Sequence, residues 1–447
     1  MSTVVSGISR TTLMACTWHK NTKGIIGVRN IMLRDYQQEA LATLANYWKN
    51  RSDPCVLQLA TGAGKSWIIA EIVKQTGQPV LVLQPSKEIL EQNFEKILLT
   101  GVDAEDVQIC SASAGSWKIG KITLATIGTI AKHWEHCKRF KIIIIDECDV
   151  CPVDRADSQY MKFFDSLPGV RIVGLTATPW RNQVFAQRYM DPKVFCRPLT
   201  RIHCKGGDMS PHGEWFWKGG IIYKCDIERL QNKGFLSPTV YHIAEADWSF
   251  VRDVAGRCDY DTEEMTRFMD IEANTSRFTQ AVVWCMQKHL KTIVFSPNID
   301  MNFRLANCIK ALGGTVETMD SDNDTRASRT EKMQRFREGE FDFLVNVGMV
   351  GRGVDVPSVD AVLLCRPTKS LSLYMQYVGR CLRIDPSNPD KVAYILDLSG
   401  NVDRFGVVEG VKLGKSKTVG KYGSMYEKDT IYTRMQDGEI KVWDQVS

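Results

Sequence analysis

Residues Lys141 to Val150 read KIIIIDECDV, four β-branched residues in a row running into Asp146, Glu147 and Asp149. A run that is apolar at every position lacks the alternation of a half-exposed strand, so it predicts a strand buried on both faces, as in a parallel sheet covered by helices. The three acidic residues would then emerge at the carboxyl end of that strand, the edge where open α/β sheets bind ligands. A solvated acidic turn after a core strand is the other reading of the same residues.

The surrounding sequence repeats this grammar. From Cys55 to Leu175 the short apolar runs CVLQL, VLVLQ, ITLAT, KIIIID and RIVGL alternate with helical patterns, and from Val240 to Leu398 the runs TIVFS, FDFLVNV, AVLLC and VAYILDL do the same. Alternation of this kind predicts two α/β domains, each with a parallel sheet. The expected boundaries are 1–31, a small β-rich extension; 32–180, the first α/β domain; 181–238, an insertion and linker; 239–400, the second α/β domain; and 401–447, a Gly- and Lys-rich tail that reads as irregular. The chain has 447 residues, enough to bury two cores.

A net charge of +5 permits a nucleic-acid partner without arguing for one. The 14 cysteines are scattered, several within apolar runs (Cys55, Cys148, Cys365), and read as reduced core residues of a cytosolic protein. No apolar run approaches the ~20 residues needed to span a bilayer, and the first twenty residues lack the pattern of a secretory leader, so no membrane role is expected and the expected place is the cytoplasm, a bacterial cytosol or that of the host if phage-encoded.

The stretch LQLATGAGKSWIIAEIV is a buried strand, a Gly-rich turn and a helix. Gly62 and Gly64 let backbone N–H groups close on phosphate oxygens, Lys65 reaches the terminal phosphates, and Ser66 opens the helix as a Mg²⁺ ligand. The strict phosphate-loop pattern asks for Gly at position 59, where Leu59 stands, which leaves a simple strand-to-helix turn as the alternative. A bound Mg²⁺-nucleotide would explain the acidic cluster: Asp146 on the water shell of the metal, Glu147 to activate a hydrolytic water.

From this point the chain resembles the superfamily 2 helicases, over nearly all of residues 33–400. LRDYQ resembles the family's Q-motif, which implies that Gln37 reads adenine with Arg34 close by; ATGAGKS, bringing in Thr61, Gly62, Ala63, Gly64, Lys65 and Ser66, resembles motif I and accounts for Leu59. LQPSKEILEQ, with Pro85 and Ser86, and ATIGTI, with Thr126, resemble motifs Ia and Ib of the single-strand track; DECD resembles motif II and LTATP motif III. NVGMVGRGVDVP, with Gly353 and Asp355, resembles motif V, and QYVGRCLR, with Gln376, Gly379, Arg380 and Arg383, resembles motif VI.

The resemblance implies two tandem RecA-like domains that hydrolyse ATP with Mg²⁺ and act on DNA. Within the superfamily, the segments from Leu363 to Asn401 and LQNKGFLSP are most similar to RadD-like and phage UvsW-like recombination and repair helicases, which implies single-stranded, forked or branched DNA as partner, no membrane, and protein partners unknown. The cysteine-rich zinc module of RadD-like proteins has no counterpart here.

In such a motor Arg380 and Arg383 are expected to come from the second domain to the γ-phosphate. Their i, i+3 spacing, shared with Gln376, also describes a charged helix face. Ser86, Thr126, Ser296 and Asn298 sit past strand ends and could donate to phosphates, although each also suits a helix cap or turn. SPHGEWFWKGG brings Trp215, Phe216 and Trp217 between glycines, either an aromatic wedge that stacks on a base or three rings docking the insertion onto a domain. Cys196, His203, Cys204, His212 and Cys225 raise a zinc site without its usual spacing, and Lys412, Lys415, Lys417 and Lys421 in the tail could lie along duplex DNA.

The expected function is thus an ATP-dependent DNA helicase or translocase that unwinds or branch-migrates forked DNA. The rivals are a duplex translocase without strand separation, an RNA helicase, and a nucleotide-gated nucleic-acid-binding scaffold.

Overall fold

The computed structural model describes residues 32–182, 196–198, 216–244, 259–260, 262–270, 272–348, 359–411 and 441–442. These fall into two compact units. One holds the described residues up to Leu57, Gly64–Thr176 and the stretch ending at Tyr223; the other holds Gln58–Ala63 and those from Ala177 and from Lys224 onward.

The first sheet is built from β1 (Cys55–Leu59), β2 (Val80–Leu83), β3 (Val107–Ser111), β4 (Ser116–Trp117), β5 (Ile122–Ala125), β6 (Ile142–Asp146) and β7 (Arg171–Thr176). The strands β8 (Trp180–Asn182) and β9 (Cys196–Pro198) form a separate antiparallel pair. The first sheet is completed by β10 (Gly220–Cys225), giving the order β10-β1-β7-β6-β2-β5-β3-β4.

The four isoleucines do what their pattern demands. Strand β6 is buried at all five positions and lies between β2 and β7, parallel to both, with Ile142 opposite Val80 on one side and Arg171 on the other. Because the neighbours run parallel, their carboxyl ends share one edge, and Asp146 at the end of β6 stands opposite Leu175 of β7. The helix Lys87–Leu99, which follows β2, buries Ile89, Leu90, Phe94, Ile97 and Leu98 at helical spacing and, among them, one amide, Asn93.

The second sheet is made of β11 (Thr239–Ile243), β12 (Thr292–Phe295), β13 (Val316–Met319), β14 (Phe343–Asn346), β15 (Ala361–Leu364), β16 (Ala393–Asp397) and β17 (Lys441–Val442). Its order is β13-β14-β12-β15-β16-β11-β17, and every neighbouring pair is parallel. Phe268, Phe278, Ile309, Phe343 and Leu396 pack among its core residues. Two parallel-sheet RecA-like domains were the expectation, and this is the architecture found. Among the described residues no helix is long and apolar enough to cross a membrane.

Two sequence expectations need correcting. The stretch read as an insertion and linker supplies β10 to the first sheet, so at least that part of it belongs to the sheet. The wedge reading of Trp217 fails because its ring is 1% exposed: it meets Phe216 edge-on at 5.0 Å, and Phe216 stacks on Phe164 at 5.2 Å. Trp215 lies outside the described residues, as do the extension 1–31, the tail lysines, and His203, Cys204 and His212; Cys225 is buried.

Trp217 also explains a glycine. A Cβ built on Gly174 in β7 would lie 2.7 Å from the Trp217 ring and 2.6 Å from Cys148 Sγ, closer than packed atoms approach. Gly174→Ala is therefore expected to destabilise the chain by about 1–3 kcal/mol or more, and urea unfolding of the variant measures it; an unchanged midpoint would mean that the ring and thiol move aside at no cost.

Candidate nucleotide site

The loop between β1 and the helix Lys65–Thr76 has the backbone expected of a phosphate loop. Gly62 and Gly64 adopt φ of 83° and 73°, a left-handed conformation that side-chain-bearing residues rarely take. Gly64 is the residue before the helix, and a Cβ on it would stand 2.8 Å from Gln37 Nε2, so its missing side chain makes room for Gln37 as well. Lys65 and Ser66 follow in the first turn, where unpaired N–H groups and the positive end of the helix dipole favour an anion.

The carboxylates converge on Lys65. Its Nζ lies 2.9 Å from Glu147 Oε1, with both side chains largely buried. Burial works against the Lys65 ammonium, but the charges of Glu147 and Asp146 outweigh it and raise its pKa above the ordinary lysine value. Asp146 is 4% exposed; burial first, then the Glu147 charge, push its carboxyl up to about 6. Its Oδ2 accepts from Asn93 Nδ2 at 2.8 Å and its Oδ1 from the Glu147 N–H at 3.0 Å.

Glu147 itself sits at φ 51°, ψ 53°, and with His289 it is one of two non-glycine residues at positive φ among the described residues. Such a conformation costs about 1–3 kcal/mol and persists where surrounding structure imposes it, often at functional sites. Asp149, the last acidic residue of the motif, is buried and accepts from Thr176 Oγ1 at 2.8 Å, which ties the end of β6 to the end of β7. Sequence reasoning missed Asn93 and the Thr176 contact. An amide on the apolar face of an amphipathic helix was the available signal for Asn93.

In the second unit Gln376 and Arg380 are both buried, and Arg380 Nε donates to Gln376 O at 3.1 Å. Here the helix-face reading is corrected: the helix runs Leu371–Val378 and is capped by Gly379, so Arg380 falls in a turn and Arg383 in an isolated antiparallel bridge to Leu236. Gly353 and Asp355 lie outside the described residues.

Comparison with known proteins bears on the fold and the family. Residues 30–181 match the family model described as type III restriction enzyme, res subunit, and residues 274–385 match the helicase conserved C-terminal domain. The chain belongs to the superfamily 2 helicases. Among similar proteins, IRC3 of Saccharomyces cerevisiae, which carries an ATP-dependent helicase name, is 27% identical over 86% of this chain and 53% of its own length. The chain thus spans about half of that relative. A Sulfurisphaera tokodaii protein named DNA 3'-5' translocase XPB2 is 25% identical over 82% of this chain and 81% of its own. Among solved structures, the type ISP restriction-modification enzyme LlaBIII bound to DNA shares the fold, with a TM-score of 0.57 at 16% identity over 82% of this chain and 28% of that one.

Other helicase-motif residues are engaged locally. Gln37 Oε1 accepts from the Arg34 N–H at 3.0 Å at the start of the helix Asp35–Asn50. Ser86, next to Pro85, caps the helix Lys87–Leu99 by accepting from the Ile89 N–H at 3.4 Å, and Thr126 Oγ1 donates to Ser111 Oγ at 3.2 Å. In the second unit Asn298 caps the helix Ile299–Ala311 through Met301 N at 2.8 Å, and Ser296 Oγ donates to Asn298 O at 3.1 Å. The Ser86, Ser296 and Asn298 contacts are the cap and turn contacts that the residue types also predicted, whereas the Thr126 side chain reaches Ser111 and does not cap the helix it precedes.

The residues of the helicase site suit Mg²⁺. Asp146 and the Ser66 hydroxyl are hard oxygen donors few enough to leave most of an octahedron to water and phosphate. Asn93 Oδ1, buried with no protein partner, is an acceptor well suited to a metal-bound water. No group of three or more His, Cys, Asp or Glu side chains that could hold a metal occurs among the described residues.

Proposed function

We propose that this helicase chain hydrolyses Mg²⁺-ATP to move along DNA, unwinding or branch-migrating forked and branched substrates. The observation that carries the reading is the close set of Lys65, Asp146 and Glu147 at the end of β6, held by Asn93 and by the left-handed backbone of Glu147. A bound Mg²⁺ would neutralise the β- and γ-phosphates and orient them. Lys65 would exchange its Glu147 partner for phosphate, Asp146 and Ser66 would hold the metal, and the released Glu147 carboxylate would take the proton of the attacking water. Arg380 and Arg383 are read as the cations that meet the charge developing on the transferred phosphoryl group, which makes turnover depend on the second unit. Gln37 is read as the adenine contact, with Arg34 beside it, and Gly353 and Asp355 as further nucleotide contacts. Pro85, Ser86, Thr126, Ser296 and Asn298 are read as backbone contacts to one DNA strand.

A second reading is translocation on duplex DNA without strand separation. It is favoured by the burial of Trp217, which takes that ring out of any wedge, and by the translocase name of the Sulfurisphaera relative. Phosphate release measured against single-stranded, duplex, forked and four-way DNA, with matched RNA forks, tests both. Forked or four-way DNA is expected to stimulate most, and strand displacement on the fork separates the readings. Turnover that no nucleic acid stimulates would sink the motor and favour a gated binding protein.

A further inference from the structure

The segment carrying Arg383 has no regular element to hold it. The helix before it ends at Val378, β16 begins at Ala393, and between them the chain runs as turns and isolated bridges. Buried carbonyls in such a stretch need donors from outside it. Three consecutive carbonyls have them. Cys381 O accepts from Lys391 Nζ at 2.9 Å, Leu382 O from the Ser237 N–H at 2.7 Å, and Arg383 O from Lys391 Nζ at 2.6 Å and from Ser237 Oγ at 3.2 Å.

Lys391 is 3% exposed. Burial depresses its pKa below the ordinary lysine value; Cys381, Asp360 and Asp385 oppose that shift, and the Arg383 charge adds to it. A neutral side chain of similar shape would fill the space without the desolvation penalty or the repulsion from Arg383. What the ammonium supplies is several donors on a long stem, enough to bring the carbonyls of two alternate residues to one point.

We propose that Lys391 is the positioning residue of the arginine segment: it gathers the carbonyls of Cys381 and Arg383, while Ser237 takes the one between and shares the last, so that the Arg383 side chain leaves a fixed backbone. The proposal rests on the reading that Arg383 serves the transferred phosphoryl group. Displacements of about 1 Å at a reacting centre can cost 10²-fold in rate, which is the scale on which a loosened Arg383 would be felt.

The test uses the full chain and DNA-stimulated phosphate release, with Lys391→Met and Lys391→Arg made alone and with Arg383→Lys. Lys391→Met is expected to lower kcat by about 10- to 100-fold while KM for ATP stays within about twofold. Lys391→Arg, which keeps a cation with several donors, is expected to recover most of that loss. In the Arg383→Lys background Lys391→Met should add little, because the arginine that it places is gone.

Wild-type kcat in Lys391→Met overturns the proposal, as does an equal loss in both backgrounds, which marks general damage. Hydrogen exchange of the amides of 380–384 reads the clamp without reference to catalysis. It is expected to speed up in Lys391→Met, and unchanged exchange also overturns the proposal. If exchange rises but Arg383→Lys turns over like the native chain, the clamp stands and the phosphate role of Arg383 falls. Should Lys391→Met fail to fold, Ser237→Ala removes one donor from Arg383 O while keeping its own N–H; a smaller kcat loss with faster exchange is expected, and no change in either overturns the clamp.

Discussion

A Glu147→Gln chain is expected to bind ATP at least as tightly as the native one and to hydrolyse it about 10²- to 10⁴-fold more slowly, the usual worth of a positioned general base. The amide keeps the length and shape of the side chain and can still accept from Lys65 Nζ, now 2.9 Å from Glu147 Oε1. What it loses is the negative charge. Binding should not suffer, because a triphosphate arriving at Lys65 no longer competes with a carboxylate, and Asp146, whose pKa the Glu147 charge helps to raise, becomes easier to ionise beside a metal. Hydrolysis should suffer, because the amide cannot take a proton from water. Titration with a fluorescent nucleotide and a phosphate-release assay separate the two effects. Turnover at the native rate would remove Glu147 from the chemistry, and parallel loss of binding and turnover would make the Lys65 pair a structural contact.

How much of this was legible in the sequence depends on how local the cause is. The strand β6 is written in its own residues: four isoleucines cannot all face a core unless both faces are covered, and they are. The left-handed turns at Gly62 and Gly64 are likewise local. Asn93 was harder, because its partner Asp146 lies 53 residues away and nothing near Asn93 names it. Trp217 stayed open between wedge and core for a related reason. An aromatic ring between glycines serves a wedge or a core equally well, and the feature that decides, the missing side chain of Gly174, becomes meaningful only once β7 is paired and the ring has been placed over it. The helix-face alternative for the arginines rested on spacing alone. Gly379 and Pro386 flank the segment and could have marked the end of the helix, since Pro cannot continue one. The two-residue strand β17 is too short to carry any periodic signal.

Arg383→Ala is expected to leave ATP affinity nearly unchanged and to cut DNA-stimulated hydrolysis by about 10³- to 10⁵-fold, the range found for arginines that meet a transferred phosphoryl group. The choice of Arg383 over Arg380 follows from what each contributes to the fold. Arg380 is 7% exposed and its side chain bonds the Gln376 carbonyl, so its removal strands a buried acceptor and should lower stability as well as activity. At Arg383 the contacts from Lys391 and Ser237 end on the backbone carbonyl, which alanine retains. Both variants are therefore expected to lose turnover, and Arg380→Ala is expected to melt lower as well, through the stranded Gln376 carbonyl. Charge developing on the phosphoryl oxygens is greatest in the transition state, so a cation used there lowers kcat when it is removed and leaves ground-state binding in place. Nucleotide titration, phosphate release and thermal melting of the two variants check this pattern, and an Arg383→Ala chain that turns over at the native rate excludes the guanidinium from the reaction.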